Sequence, residues 1–269
     1  MRSLLIFFAV TYAFSWTCWY IAMSPAVGPL RGAIVLLGVY APALVALSLT
    51  AVRGGKGAVI ELLKRVLRWR ADAPLYLFAI GYMAAIKLTA ALIHRALLGA
   101  WPAFGKESWI VILLAIPLST PFQAGEEIGW RGFALPTLAQ RFGFAAASLL
   151  LGLIWAAWHL PLFFFPGADT RGQSFPLYLL QVTAMSIAIA WLYVRTNGSL
   201  LLTMLMHSAV NQTKDIVPSA VAGATNVFAL STSRVAWISV ALLWMCATYF
   251  LVRMHVGRAS RRVDVVYSA

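Results

Sequence analysis

Apolar runs of about 20 residues recur along this chain, and a helix of that length is what crosses the hydrocarbon core of a bilayer. Lipid offers no partner to backbone N–H and C=O groups, so such runs must close their own hydrogen bonds and fold as helices. They fall at residues 4–23, 33–52, 74–98, 109–135, 144–165, 177–194, 200–213 and 235–253. The expected fold is therefore all-α and polytopic, with about eight transmembrane helices. Composition agrees: 62% of residues are hydrophobic and 11% charged, where a soluble domain carries about 45–50% and about 25%. Residues 2–20 have a basic start and an apolar middle, as a signal peptide does, but the run is long and Pro25 follows it directly. It is read as a retained first span.

The net charge of +13 would indicate nucleic acid in a soluble protein. Here the cations stand between and after apolar runs, which points to membrane orientation and anionic lipid, with no nucleic-acid partner. With the N-terminus inside and eight crossings, most cations lie inside, among them Arg53, Lys56, Arg65, Arg68, Arg141, Arg195 and Arg253. Both termini are then cytoplasmic. In 58–70, Val59, Leu62, Leu63, Val66 and Leu67 recur at helical spacing between Lys64, Arg65 and Arg68, the pattern of an amphipathic helix on an anionic surface. Cys18 and Cys246 lie in apolar runs near opposite ends and give neither a disulfide framework nor a metal knuckle. The sequons at Asn197 and Asn211 fall at a cytoplasmic turn and inside a span, and are accidental. The tail 257–269 is basic and polar.

Ionisable groups at membrane depth are costly and mark function by default. The chain has eight acidic residues, and two of them, Glu126 and Glu127, stand side by side in the fourth run. Pro117 and Pro121 make that run tilted or broken near Pro121, and Pro136 with Gln140 and Arg141 ends it. On a helix, neighbouring side chains diverge by about 100°, so the two carboxylates have separate tasks. Arg131, four residues after Glu127, is its natural ion-pair partner, and Glu126 is left to act as a general base or acid. His159 lies one turn after Trp155 in the fifth run, and His207 lies one turn before Asn211 in the seventh. Lys87 pairs with one of the carboxylates or snorkels, while His94 and His255 are interfacial. A Glu–His pair can deprotonate water, and a His with an Asn can donate to an oxyanion. Glu126, His159 and His207 can equally ligate a divalent metal such as zinc, or the whole set can be a structural polar network.

Glu-Glu-x-x-x-Arg at 126–131, an aromatic-x-x-x-His at 155–159 and His-x-x-x-Asn at 207–211, each in its own run, resemble the CPBP family. That family includes CAAX prenyl endopeptidases, bacteriocin-processing enzymes and Abi immunity proteins. Gly132 to Pro136 after the first motif and Leu160-Pro161 after His159 strengthen the likeness; Trp155 departs from it, the family usually having Phe there. The resemblance covers 108–215 as a catalytic core, between N-terminal helices and the interfacial helix (1–107) and a last helix with a basic tail (216–269). It implies that Glu126 and His159 activate water, that His207 and Asn211 stabilise the oxyanion, and that Glu127 and Arg131 hold the site in shape. It further implies an intramembrane endopeptidase, metalloprotease or metal-independent, acting on a membrane-associated or lipidated CAAX-like peptide, with membrane lipids around it. The compact build with short loops suggests a prokaryotic inner membrane. The contrasting expectation is a catalytically inactive scaffold or immunity protein that keeps the polar core for structure.

Overall fold

A computed structural model describes residues 2–218 and 226–256. The basic tail 257–269 and residues 219–225 lie outside the described residues. Among the described residues the secondary structure is helical throughout, without a strand. In chain order the helices are α1 (Arg2–Met23), α2 (Arg31–Lys64), α3 (Ala73–Leu98), α4 (Trp109–Ser119), α5 (Ala124–Gly129), α6 (Leu135–Trp158), α7 (Phe175–Arg195), α8 (Leu200–Thr213) and α9 (Arg234–Val256). Serines set several of the starts. Ser108, Ser174 and Ser199 each accept from a backbone N–H of the first turn through the side chain, which satisfies a donor the helix leaves unpaired. Gly99, at φ 71°, closes α3 in the left-handed region.

Six helical stretches are long and apolar enough to cross a membrane: Arg2–Met23, Pro25–Leu67, Ala73–Leu98, Trp109–Trp158, Phe175–Arg195 and Arg234–His255. The chain is thus an integral membrane protein. Eight crossings were expected from the runs, and the difference lies in two places. The 109–158 stretch is divided inside α6 at Gly143, whose φ 75° and ψ 162° are not helical. The other is α8, whose 14 residues rise only about 21 Å.

Two prolines, Pro42 and Pro136, are accommodated within helical backbone, although Pro136 was expected to end its helix. The backbone of α2 stays helical through Pro42, and its one departure from helical dihedrals is at Gly55. Pro42 has no N–H to give the Gly38 carbonyl one turn earlier. The hydroxyl of Ser15 on α1 donates to that carbonyl at 2.7 Å. Pro136 likewise does not end its helix but sits in the first turn of α6, directly after a π-helical turn at Trp130–Ala134. The carbonyl it leaves without an N–H, Gly132 O, accepts from Arg65 Nη1 at 3.4 Å. The segment after Gly55 carries the expected amphipathic helix, ending in a short 3-10 turn at Arg65–Leu67. Leu62 is buried in the core, while Arg65 reaches the Tyr193 hydroxyl and Arg68 the Asn197 carbonyl. Two of its cations are therefore spent on the protein itself.

Packing follows small residues, as in lipid, where helices associate through close van der Waals contact rather than by escaping water. α1 packs on α2, α2 on α5, α6 on α7, and α3 on α8. A Cβ on Gly129 would stand 2.5 Å from the Pro42 backbone, and one on Gly125 would stand 2.9 Å from the Tyr40 ring. These two glycines, four apart, let α5 press against α2. Gly129→Ala is therefore expected to destabilise the protein by about 1–3 kcal/mol, the usual cost of overpacking. Gly81→Ala, where nothing lies within 4 Å of the added Cβ, serves as the control. Thermal unfolding in detergent measures both, and an unchanged Gly129→Ala would contradict the packing account.

Candidate active site

The α2–α5 contact determines where the two carboxylates go. With Gly125 and Gly129 against α2, Glu126 and Glu127 turn into the bundle, 7% and 0% exposed. A 3-10 turn at Thr120–Gln123, led by Pro121, separates them from α4. The π turn that follows shifts the helix register by one residue, a feature frequent at functional sites. It carries Arg131 and also Trp130, which is wedged against Phe7 on α1 and Trp158 at the end of α6.

Glu127 is the hub of one half of the site. Its Oε1 accepts from Arg131 Nη1 at 2.8 Å, and both side chains are fully buried. The same oxygen lies 2.9 Å from His207 Nδ1. An ionised carboxylate only accepts, so the His207 proton sits on Nδ1 and the ring presents Nε2 to the site. The sequence reading grouped His207 with Asn211; the structure gives His207 to Glu127 instead. Asn211 is exposed, and its Nδ2 donates to Gln123 Oε1 at 3.5 Å.

The other half gathers on Trp155. Its indole N–H donates to Glu126 Oε2 at 2.7 Å. Its carbonyl accepts from His159 Nδ1 at 2.8 Å, so His159 also presents Nε2. Glu126 and His159 are thus joined through Trp155, and they stand within electrostatic reach of each other. α1 fixes this end of α6: the Tyr12 hydroxyl donates to the Ile154 carbonyl, and Trp16 Nε1 donates to the Trp158 carbonyl at 2.9 Å. Tyr178 on α7 packs edge-on against the His159 ring.

α8 brings the halves together because it is enclosed by α3, α4 and α7 along most of its length. Its polar face is zipped to α4. Ser208 donates to the Ile116 carbonyl at 2.7 Å, Ser119 and Ser208 hydroxyls are 2.6 Å apart, and Gln212 donates to Ser119 at 3.3 Å. Gln123, Ser119, Ser208 and Gln212 were not singled out from the sequence. Their signal was present as amides and hydroxyls one turn apart beside His207 and before Glu126. Lys87 is buried on α3 and donates to the Val217 carbonyl at 3.0 Å. His94 is half-buried near the end of α3, and His255 is exposed at the end of α9.

Glu126, His159 and His207 each keep one atom, Oε1 or Nε2, not engaged by the contacts above. Among the described residues, however, no three His, Cys, Asp or Glu side chains converge closely enough to hold a metal ion. As placed, the set does not form a zinc site. Removing one partner of a buried ion pair leaves an uncompensated charge. Arg131→Met is therefore expected to cost about 3–5 kcal/mol of stability. The double variant Glu127→Gln/Arg131→Met should recover much of it, as chemical denaturation of both proteins would reveal. An equal loss in the two would show that the pair is not what Arg131 contributes.

Residues 106–213, the stretch from just before α4 to the end of α8, match the family described as Type II CAAX prenyl endopeptidase Rce1-like. Over 115 residues the chain is 29% identical to "CAAX prenyl protease 2" of Methanococcus maripaludis. That match covers 40% of this chain and 41% of the relative, so the two are alike over less than half of either. All the residues brought together above from α4 to α8 lie in the matched block, whereas α1 and α2 only brace it. The central block of this chain, residues 106–213, is thus similar to the Rce1-like CAAX prenyl endopeptidases, and the likeness lies where the buried polar groups are gathered.

Proposed function

We propose that this protein is an intramembrane endopeptidase that hydrolyses a peptide bond in a membrane-associated or lipidated, CAAX-like substrate. The observation that carries the reading is the hydrogen-bond pattern of the site. Both histidines have Nδ1 engaged, His159 on the Trp155 carbonyl and His207 on Glu127, beside a buried carboxylate held by one oxygen. In this reading a water lies between Glu126 Oε1 and His159 Nε2. Glu126 takes one proton from it as the oxygen bonds to the scissile carbonyl carbon. The Asn211 amide donates to the resulting oxyanion. His207 does so as well when its ring is doubly protonated, with Glu127 as counter-ion. The proton on Glu126 then passes to the leaving nitrogen, the C–N bond breaks, and a carboxylate and an amine leave. Glu127 and Arg131 hold His207 in register.

A groove of about 240 Å³ lined by Phe104, Glu107, Trp109, Ile112, Gln212 and Asp215 lies at the end of α8 that carries Asn211 and gives the peptide an approach. The membrane lipids surround the apolar outer faces, and the reading places both termini in the cytoplasm of a prokaryotic cell.

The test uses the purified protein in detergent and a fluorogenic peptide ending in a farnesylated CAAX sequence. Glu126→Gln should lower kcat by at least about 10²-fold, and Asn211→Ala by about 10²–10³-fold. Chelation should leave the wild-type rate unchanged. Cleavage by Glu126→Gln at the wild-type rate would overturn the assignment. A rate lost on chelation and restored by zinc would replace carboxylate-activated water with a metal-bound one.

A further inference from the structure

We propose that Trp155 is a positioning residue that selects which oxygen of Glu126 does the chemistry, an inference that rests on Glu126 being the base. One side chain, 2% exposed, touches four of the five charged or imidazole groups at the centre of the site, all but Glu127. Its N–H donates to Glu126 Oε2 at 2.7 Å, and the Arg131 guanidinium lies over its ring at 4.2 Å. The His159 and His207 rings meet it edge-on at 5.8 and 5.2 Å.

An indole nitrogen donates and never accepts. Oε2 is therefore held as an acceptor for as long as the bond lasts, and a proton arriving from water goes to Oε1. The hydrogen bond also fixes the carboxylate's rotation. A terminal torsion of this kind is broad in a free glutamate, and a misaimed base loses the near-attack geometry on which its rate depends. The ring itself supplies the surface against which Arg131 stacks, so the indole has two separable duties: a face for the cation and an edge for the carboxylate. Phenylalanine can perform the first and has no group for the second.

Two forms of the protein separate N–H loss from ring loss. Trp155→Phe keeps an aromatic face, and a tryptophan analogue with sulfur in place of the indole N–H, introduced at 155, keeps the full ring. On the farnesylated peptide both should lower kcat about 10–100-fold with KM within about twofold of wild type. A change confined to KM, or wild-type kcat in both, would overturn the proposal. Thermal unfolding gives a second readout that needs no substrate. Trp155→Phe and Glu126→Ala each leave a buried partner unpaired, so the double variant should unfold at least about 3 °C higher than the sum of the single shifts. Additive shifts would also overturn it. Should Glu126→Gln retain full activity while the shifts are non-additive, the contact stands as structural and the base assignment fails with it.

Discussion

One carboxylate oxygen, Glu127 Oε1, accepts from Arg131 within its own helical segment and faces His207 from another, and it does so with no exposure to solvent. A carboxylate cannot be left alone at that depth, and neither can a guanidinium. Each therefore dictates the other's rotamer, and together they dictate the histidine's. The tautomer of His207 is a consequence of this contact rather than a property of the residue. So is the direction in which Nε2 points. Oriented ligands of this kind are usually discussed for metal sites, but the same logic applies wherever a ring must present a chosen nitrogen.

The glycines and the π turn make that contact reachable. Gly125 and Gly129 bring α5 against Tyr40 and Pro42, which sets the rotation of the segment about its axis. The π turn then inserts one residue between the carboxylates and α6. Pro136, which would otherwise strain a regular helix, follows that turn, and the basic end of α2 donates to the carbonyl it vacates. The N-terminal helices therefore serve the site without contributing a reacting group. α1 pins the Ile154 and Trp158 carbonyls around His159, and α2 supports the glycine face.

Much of this was legible in the sequence. Run length gave the helices, and α8 begins and ends where the seventh run does. The spacing of four between Glu127 and Arg131 gave their pairing, which stands at 2.8 Å. The divergence of adjacent side chains on a helix gave Glu126 a different neighbour from Glu127, as found. What the sequence did not carry was the partner across the bundle. His207 and Asn211 share a face of α8, yet one meets Glu127 and the other Gln123, because the 3-10 turn and the α5 segment pass that face at different heights. Trp155 was legible as an aromatic one turn before His159, but the bond made by its N–H depends on how α5 and α6 approach. Proline misled the reading of helix ends for a related reason. A missing N–H breaks a helix only when no other donor reaches the freed carbonyl, and sequence spacing does not say whether one does.

The central claim is that both site histidines carry their proton on Nδ1, His159 on the Trp155 carbonyl and His207 on Glu127, which leaves Nε2 as the free ring nitrogen. The chain has four histidines, so ¹⁵N labelling of histidine alone, assigned by single His→Gln variants, isolates the ring nitrogens of His159 and His207. The account predicts a protonated Nδ1 in both, and for His207 it predicts that this proton is lost from Nδ1 or weakened in its hydrogen bond when Glu127 is replaced by Gln. A bare Nδ1 in His207, with the proton on Nε2, would contradict the arrangement from which the mechanism was built.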